Sequence, residues 1–196
     1  MKSARNHRRR DPVALGNRED KTRQAEEFVG LEKSGELPEW PGTASDFRAP
    51  KYRLLNEGGH RTFAIVLEKG AEVVDSLRQF AREHQLLGSH FTAIGAFSEA
   101  VVGFFDPVEK RYRETPIREQ VEALSLIGDI TVEGVAHRIH AHVVLGKTDG
   151  TAYGGHLIRA HVFPTLELIL VETPRYLERR FDPETGLALI DLDRTA

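Results

Sequence analysis

The residues best equipped for chemistry in this 196-residue chain are three histidines: His140 and His142 in the segment HRIHAHVVLG, and His156 in GGHL. Alternate residues of a β-strand share a face, so His140 and His142 project to the same side, roughly 6.5–7 Å apart along the backbone. The flanking segments Val135–Leu145 and Tyr153–Val171 read as strands joined by GKTDG. With the turn centred on Asp149, residues whose numbers sum to 298 lie opposite one another, which sets His156 across from His142 on the same face. A slip of one residue would send His156 to the other side. His137 and His161, being odd-numbered, are expected to point away. Three neutral imidazoles suit a borderline divalent ion such as zinc, and three protein ligands leave a fourth position for water or a substrate. Such an ion could polarise a carbonyl or acidify a bound water. The competing reading is a row of half-buried histidines satisfied by hydrogen bonds along a hairpin, with no ion.

The rest of the composition narrows the options. The chain has no cysteine, which excludes disulfides and thiolate metal sites and suits a reducing, cytoplasmic setting. No apolar run approaches the roughly 20 residues a membrane helix needs, and no apolar segment of a signal peptide follows the basic start MKSARNHRRRDP. Glu122, in VEALSL, is a candidate general base or fourth ligand if its strand neighbours the hairpin; the alternative is a surface carboxylate. GxSxG, GxGxxG and a P-loop are absent, so neither an activated serine nor a nucleotide cofactor is supported. Charge is uneven along the chain. Residues 1–23 hold eight Lys/Arg against three Asp/Glu, and residues 51–196 hold 17 against 21. Only the N-terminal tip, with Arg8, Arg9 and Arg10, has the cation density that displaces phosphate counterions. A solvated tail is the alternative there.

These groups must be positioned by a limited set of elements. Residues 1–50 read as an extension with a basic tip, a short helix around Arg18–Leu31 and a Pro/Gly-rich stretch in which Trp40 could dock on the core. Thr62–Leu67 reads as a strand. Val73, Val74, Leu77, Phe80 and Ala81 recur at helical spacing through Ala71–Gln85, with Gly88 closing the segment. Strands are then expected at His90–Ala96, Ala100–Phe105, Arg111–Thr115 and Gln120–Thr131, followed by the histidine hairpin, in which Pro164 must fall at an edge or a bulge. A last hairpin, Tyr176–Phe181 with Leu187–Leu192, surrounds DPETG. The predicted fold is α+β: a largely antiparallel sheet or partial barrel with one main helix packed on it, spanning residues 51–196.

The series LEKGAEVVDSLRQFAREHQL, FTAIGAFSEAVVGFFD, ALSLIGDI, HAHVVLG–TDG and GGHL resembles the plant-and-prokaryote conserved (PPC) domain over roughly Tyr52 to Thr173. The resemblance implies a homotrimer with the histidine motif near subunit contacts. It also implies kinship in fold with acetolactate decarboxylase, a zinc enzyme whose ligands are an HxH pair and a later histidine; His140, His142 and His156 match that set in type and order. Plant members carry an AT-hook centred on RGRP that enters DNA. This chain has HRRRDP instead, without the central glycine. The functions in view are a trimeric metal-binding protein with a DNA-associated regulatory role, a metal-dependent lyase or hydrolase acting on a small oxo-acid or ester with Glu122 moving a proton, and a trimeric scaffold without metal.

Overall fold

Segments in which β-branched and aromatic residues alternate with polar ones dominate the chain beyond Thr62, and pleated, half-buried strands are where such segments fit. The computed structural model describes residues 50–56 and 60–194. In order the elements are β1 (Lys51–Asn56), β2 (Thr62–Glu68), α1 (Val73–Glu83), β3 (Ser89–Asp106), β4 (Arg111–Ile117), β5 (Val121–Glu133), β6 (Ala136–Gly146), β7 (Ala152–Glu172), β8 (Arg179–Asp182) and β9 (Leu187–Ile190). The expectations for Arg8–Arg10, for a helix near Arg18–Leu31 and for Trp40 lie outside the described residues.

Seven strands form one antiparallel sheet in the order β1-β2-β7-β6-β5-β3-β4, and β7 also bonds β3. Because β7 reaches both β6 and β3, the strands β3, β5, β6 and β7 close on themselves, as the expected partial barrel requires. The two long strands make this closure possible. Their ladder is interrupted by register shifts between Gly95 and Phe97, Phe97 and Glu99, and Val101 and Val102, and bulges of this kind add the coiling that a closed sheet needs. Pro164 falls in the first of these gaps, between Leu166 and Val162 on β7, where no ladder hydrogen bond is asked of it. The same shifts explain why β3 is one strand of 18 residues where two shorter ones are read from the sequence.

Inside the closed strands, Leu126, Ile130, Val143, Leu145 and Leu166 are fully or almost fully buried. Helix α1 contributes Val73, Leu77, Phe80 and Ala81 to the same core. Glu72 caps the helix by accepting a hydrogen bond from the Asp75 amide at 2.6 Å, and its other oxygen accepts from the Ala160 amide of β7 at 3.1 Å. One carboxylate thus starts the helix and pins it to the sheet. The helix ends at Glu83, and Gln85, at φ 52°, takes the left-handed conformation that the sequence reading assigns to Gly88. The β8–β9 hairpin stands apart as a two-stranded sheet.

Candidate metal centre

Along β6 the burial alternates cleanly: Ala141, Val143 and Leu145 are buried, and His140, His142 and Val144 lie on the opposite face. That alternation follows from packing one side of the strand against the core. In the β6–β7 ladder His142 pairs with His156 and Val143 with Gly155, which is the register deduced from the sequence. Gly155 is required by this crossing of strands, because a Cβ there would stand 2.8 Å from the Gly103 carbonyl oxygen. The three imidazoles converge. Their ring centroids are 5.2 Å (His140–His142), 5.3 Å (His140–His156) and 5.5 Å (His142–His156) apart. One nitrogen from each lies within 4.8 Å of the other two.

This donor set fits a divalent ion. Zinc–nitrogen bonds of about 2.0–2.1 Å place tetrahedral ligands about 3.4 Å apart, so side-chain rotations of roughly an ångström complete the geometry. The Nδ1 of His156 is buried and lacks a hydrogen-bond partner among the described residues. Leaving such a group unpaired costs on the order of 1–3 kcal/mol, which a ligand at that nitrogen would recover. Protonation does not stand in the way. Burial first, then the neighbouring His140, His142 and Arg179, lowers His156 to about 4. Burial and His140 lower His142 as well. Both rings therefore present lone pairs at neutral pH.

Two neighbours complete the surroundings. Asp129 on β5 pairs with His140 across the β5–β6 ladder, and its Oδ2 lies 3.4 Å from His140 Nδ1. Burial alone would raise this carboxyl, but hydrogen bonds from His140 and Arg179 outweigh it and hold it below the ordinary aspartate range. Tyr112 on β4 stacks on His156, with centroids 4.4 Å apart and planes at 19°; burial raises its phenol, an effect that Arg179 partly offsets. A cleft lined by His90, Thr92, Ile127, Asp129, His140 and His142 opens on this side, so an ion held by three nitrogens would keep an accessible fourth position.

Glu122 is not brought to the cluster. It pairs with Gly146, four residues beyond His142 on β6, or roughly 13 Å at about 3.3 Å per residue. The irregularity between Ala123 and Ser125 keeps it on the histidine face, but it lines a different depression, with Ile94, Thr165 and Glu167. The acid at the site is Asp129. The turn joining β5 and β6 is Gly134-Val135, which makes opposite residues sum to 269 and pairs Asp129 with His140. A turn at Glu133-Gly134 would sum to 267 and set Asp129 against Arg138. His137 lies on the opposite side of β6, as expected. His161 departs from expectation. The shift between Arg159 and Leu157 breaks the odd–even parity, Ala160 and Val162 become the buried residues, and the Nδ1 of His161 is 3.1 Å from Glu99 Oε1.

Residues 55–174 match the family model described as the Plants and Prokaryotes Conserved (PCC) domain, the PPC domain of the sequence resemblance. Among solved structures, a metal-containing protein from Archaeoglobus fulgidus is 33% identical, with a TM-score of 0.63, over 74% of this chain and 99% of that one. A candidate DNA-binding protein from Bacteroides thetaiotaomicron is 27% identical, with a TM-score of 0.70, over 75% of this chain and all of that one. A PPC protein from Pyrococcus horikoshii is 27% identical, with a TM-score of 0.64, over 72% and 94% respectively. No functionally curated protein matches the chain. Among the described residues no helix is long and apolar enough to cross a membrane.

Proposed function

The chain belongs to the Plants and Prokaryotes Conserved domain family, and we propose that it is a self-associating metal-binding member in which His140, His142 and His156 hold a divalent cation, zinc foremost. The observation that carries this reading is the convergence of three imidazole nitrogens within 4.8 Å from two strands in one register. Zinc is favoured by a donor set of neutral imidazoles in a chain without cysteine. The likeness to a metal-containing protein at 33% identity supports it. When bound, a cation with an open position polarises a carbonyl or acidifies water. Around it, Asp129 orients His140 and Tyr112 covers His156.

Self-association, as a homotrimer, is supported by apolar side chains left on the outward face of the sheet beside the histidines: Ile94 is 63% exposed, Leu124 57%, Ile127 54% and Ile169 46%. An apolar sheet face of that kind is characteristic of a subunit contact. DNA association is the regulatory role in view. It rests on the basic residues Arg8, Arg9 and Arg10 and on the likeness to a candidate DNA-binding protein. Three copies would present three such tips together, which raises avidity. A lyase or hydrolase acting on a small oxo-acid or ester is the second reading, favoured by the cleft at the open side of the cluster. The compartment we propose is the cytoplasm.

The deciding experiment is metal content by inductively coupled plasma mass spectrometry on the purified protein and on His142→Ala. Near-stoichiometric zinc in the first and its loss in the second support the site. If neither binds metal after loading with divalent ions, the metal and enzyme readings both fall and a scaffold remains. The DNA role predicts binding that weakens steeply with salt and disappears when residues 1–23 are deleted.

A further inference from the structure

The β8–β9 hairpin lies beyond the family-matched segment, which ends at residue 174, yet one of its side chains reaches the histidine cluster. Arg179 is only 8% exposed. Its Nε donates to Thr131 Oγ1, its Nη1 to the Ala188 carbonyl and its Nη2 to Asp129 Oδ1, each at 2.8 Å. The guanidinium is therefore held by its own hairpin on one side and by β5 on the other. Backbone hydrogen bonds from the Val132 amide to Leu177 and from the Leu177 amide to Leu87, both 2.9 Å, fix the chain just before it. Asp129 in turn offers its second oxygen, Oδ2, to His140 Nδ1.

We propose that Arg179 is a positioning residue of the metal site: by clamping Asp129 it aligns the carboxylate that takes the His140 Nδ1 proton in a hydrogen bond and leaves Nε2 for the ion. The inference rests on the metal-binding reading given above. A ligand imidazole must offer one nitrogen as a lone pair, and the partner of the other nitrogen decides which. Here that partner is a carboxylate that would swing freely on its two torsions without an anchor. A planar fork with fixed donors suits the anchoring task better than a flexible ammonium. The proximity of Arg179 Nη2 to His140 Nδ1, 3.3 Å, sharpens the requirement. Were the arginine to donate to that nitrogen instead, the proton would sit on Nε2 and the ring would be lost as an Nε2 ligand. Nη2 carries two N–H groups, one donating to Asp129 Oδ1 and the other near His140 Nδ1. The guanidinium and Asp129 Oδ2, 3.4 Å away, therefore compete for that nitrogen. Holding the charged carboxylate in line is what favours the Nδ1–H form. In this way the C-terminal hairpin completes a site whose ligands all lie within the family-matched segment.

The test compares wild type, Arg179→Met, Arg179→Lys and Asp129→Asn, with folding checked by circular dichroism. Two quantities are read: the His140 tautomer in the metal-free protein, from long-range 1H–15N correlation spectra at pH 8, and the zinc Kd by competition with a chromophoric chelator. We expect the Nδ1–H tautomer in wild type, a mixture in the three variants, and a zinc affinity about 10–100-fold weaker in each. The lysine variant keeps the charge and loses the fork, so its failure to rescue separates positioning from electrostatics. The proposal is overturned if folded Arg179→Met keeps the wild-type tautomer and a zinc Kd within twofold of wild type. If Arg179→Met does not fold, Asp129→Asn, altered at a partly exposed position, decides by the same criteria. If wild type binds no zinc, the metal reading fails by itself, and the tautomer still decides whether Arg179 orients His140.

Discussion

The depressed His156 imidazole makes the stability of the metal-free protein depend on pH in a defined window. The folded ring stays neutral down to about 4, whereas the unfolded chain takes up its proton near the ordinary value of 6.5. Between those values the unfolded state binds more protons, so stability falls as pH drops from 6.5 to about 4 and is insensitive to this group outside that window. At about 1.36 kcal/mol per pH unit the full interval corresponds to roughly 3.4 kcal/mol. Solvent reaches part of the ring, so about 1–2 kcal/mol is the expected loss after screening. His156→Phe isolates the effect: it removes the titration and keeps a ring to stack on Tyr112. Several carboxylates, among them Asp129 and Glu172, are held below their ordinary range by hydrogen bonds and charges; their contributions are lost at lower pH and are common to both proteins. The assay is urea unfolding at fixed protein concentration, with chelator present, at half-unit steps from pH 7.5 to 4. The stability of wild type relative to His156→Phe should decline by about 1–2 kcal/mol across the window. A flat difference would refute the depressed imidazole. Adding zinc at pH 7.5 to 100 times its Kd should stabilise wild type by about 2.7 kcal/mol and leave His156→Phe almost unchanged.

Three further outcomes follow from particular contacts. Glu72→Ala removes the cap on Asp75 and the tie to the Ala160 amide, and should cost about 1–2 kcal/mol, read as a lower urea midpoint at unchanged slope. Gly128→Ala would put a Cβ 2.5 Å from the His140 carbonyl oxygen and 2.6 Å from Phe91 Cζ. Because a backbone atom cannot rotate away, we expect a loss of about 1–3 kcal/mol and weaker zinc binding, measured by unfolding and by chelator competition. Ile94→Asp places a charge on the exposed apolar face and should shift the mass measured by light scattering from a trimer to a monomer, with secondary structure intact.

What could be read from the sequence follows the range of the interactions involved. The β6–β7 register depended on a short hairpin and one parity rule, and the pairing of His142 with His156 followed from it. Asp129 was missed because a turn placed at Glu133-Gly134 sits one residue early and sets Asp129 against Arg138, the actual turn being Gly134-Val135. Glu122 was chosen by residue type and strand neighbourhood without counting along the ladder. The rule failed at His161 because it assumes an unbroken pleat, and the ladder shifts by one residue near Ile158. Strand β1 went unread because Lys51, Arg53 and Asn56 dilute its apolar alternation, and as an edge strand it pairs with β2 only.

Arg179 was beyond any such reasoning. Its partners Thr131 and Asp129 lie 48 and 50 residues away in sequence, and neighbouring Arg175 and Arg180 share its type without its role. Only the closure of the strands and the return of the chain past Leu87 bring its guanidinium to β5. Local periodicity can therefore identify ligands that share a strand or a hairpin. The groups that orient those ligands come from contacts whose loop-closure entropy is compensated by the whole core, and no short window of sequence encodes them. In this chain the division runs between His140, legible from its spacing, and the carboxylate and guanidinium that decide which of its nitrogens meets the ion.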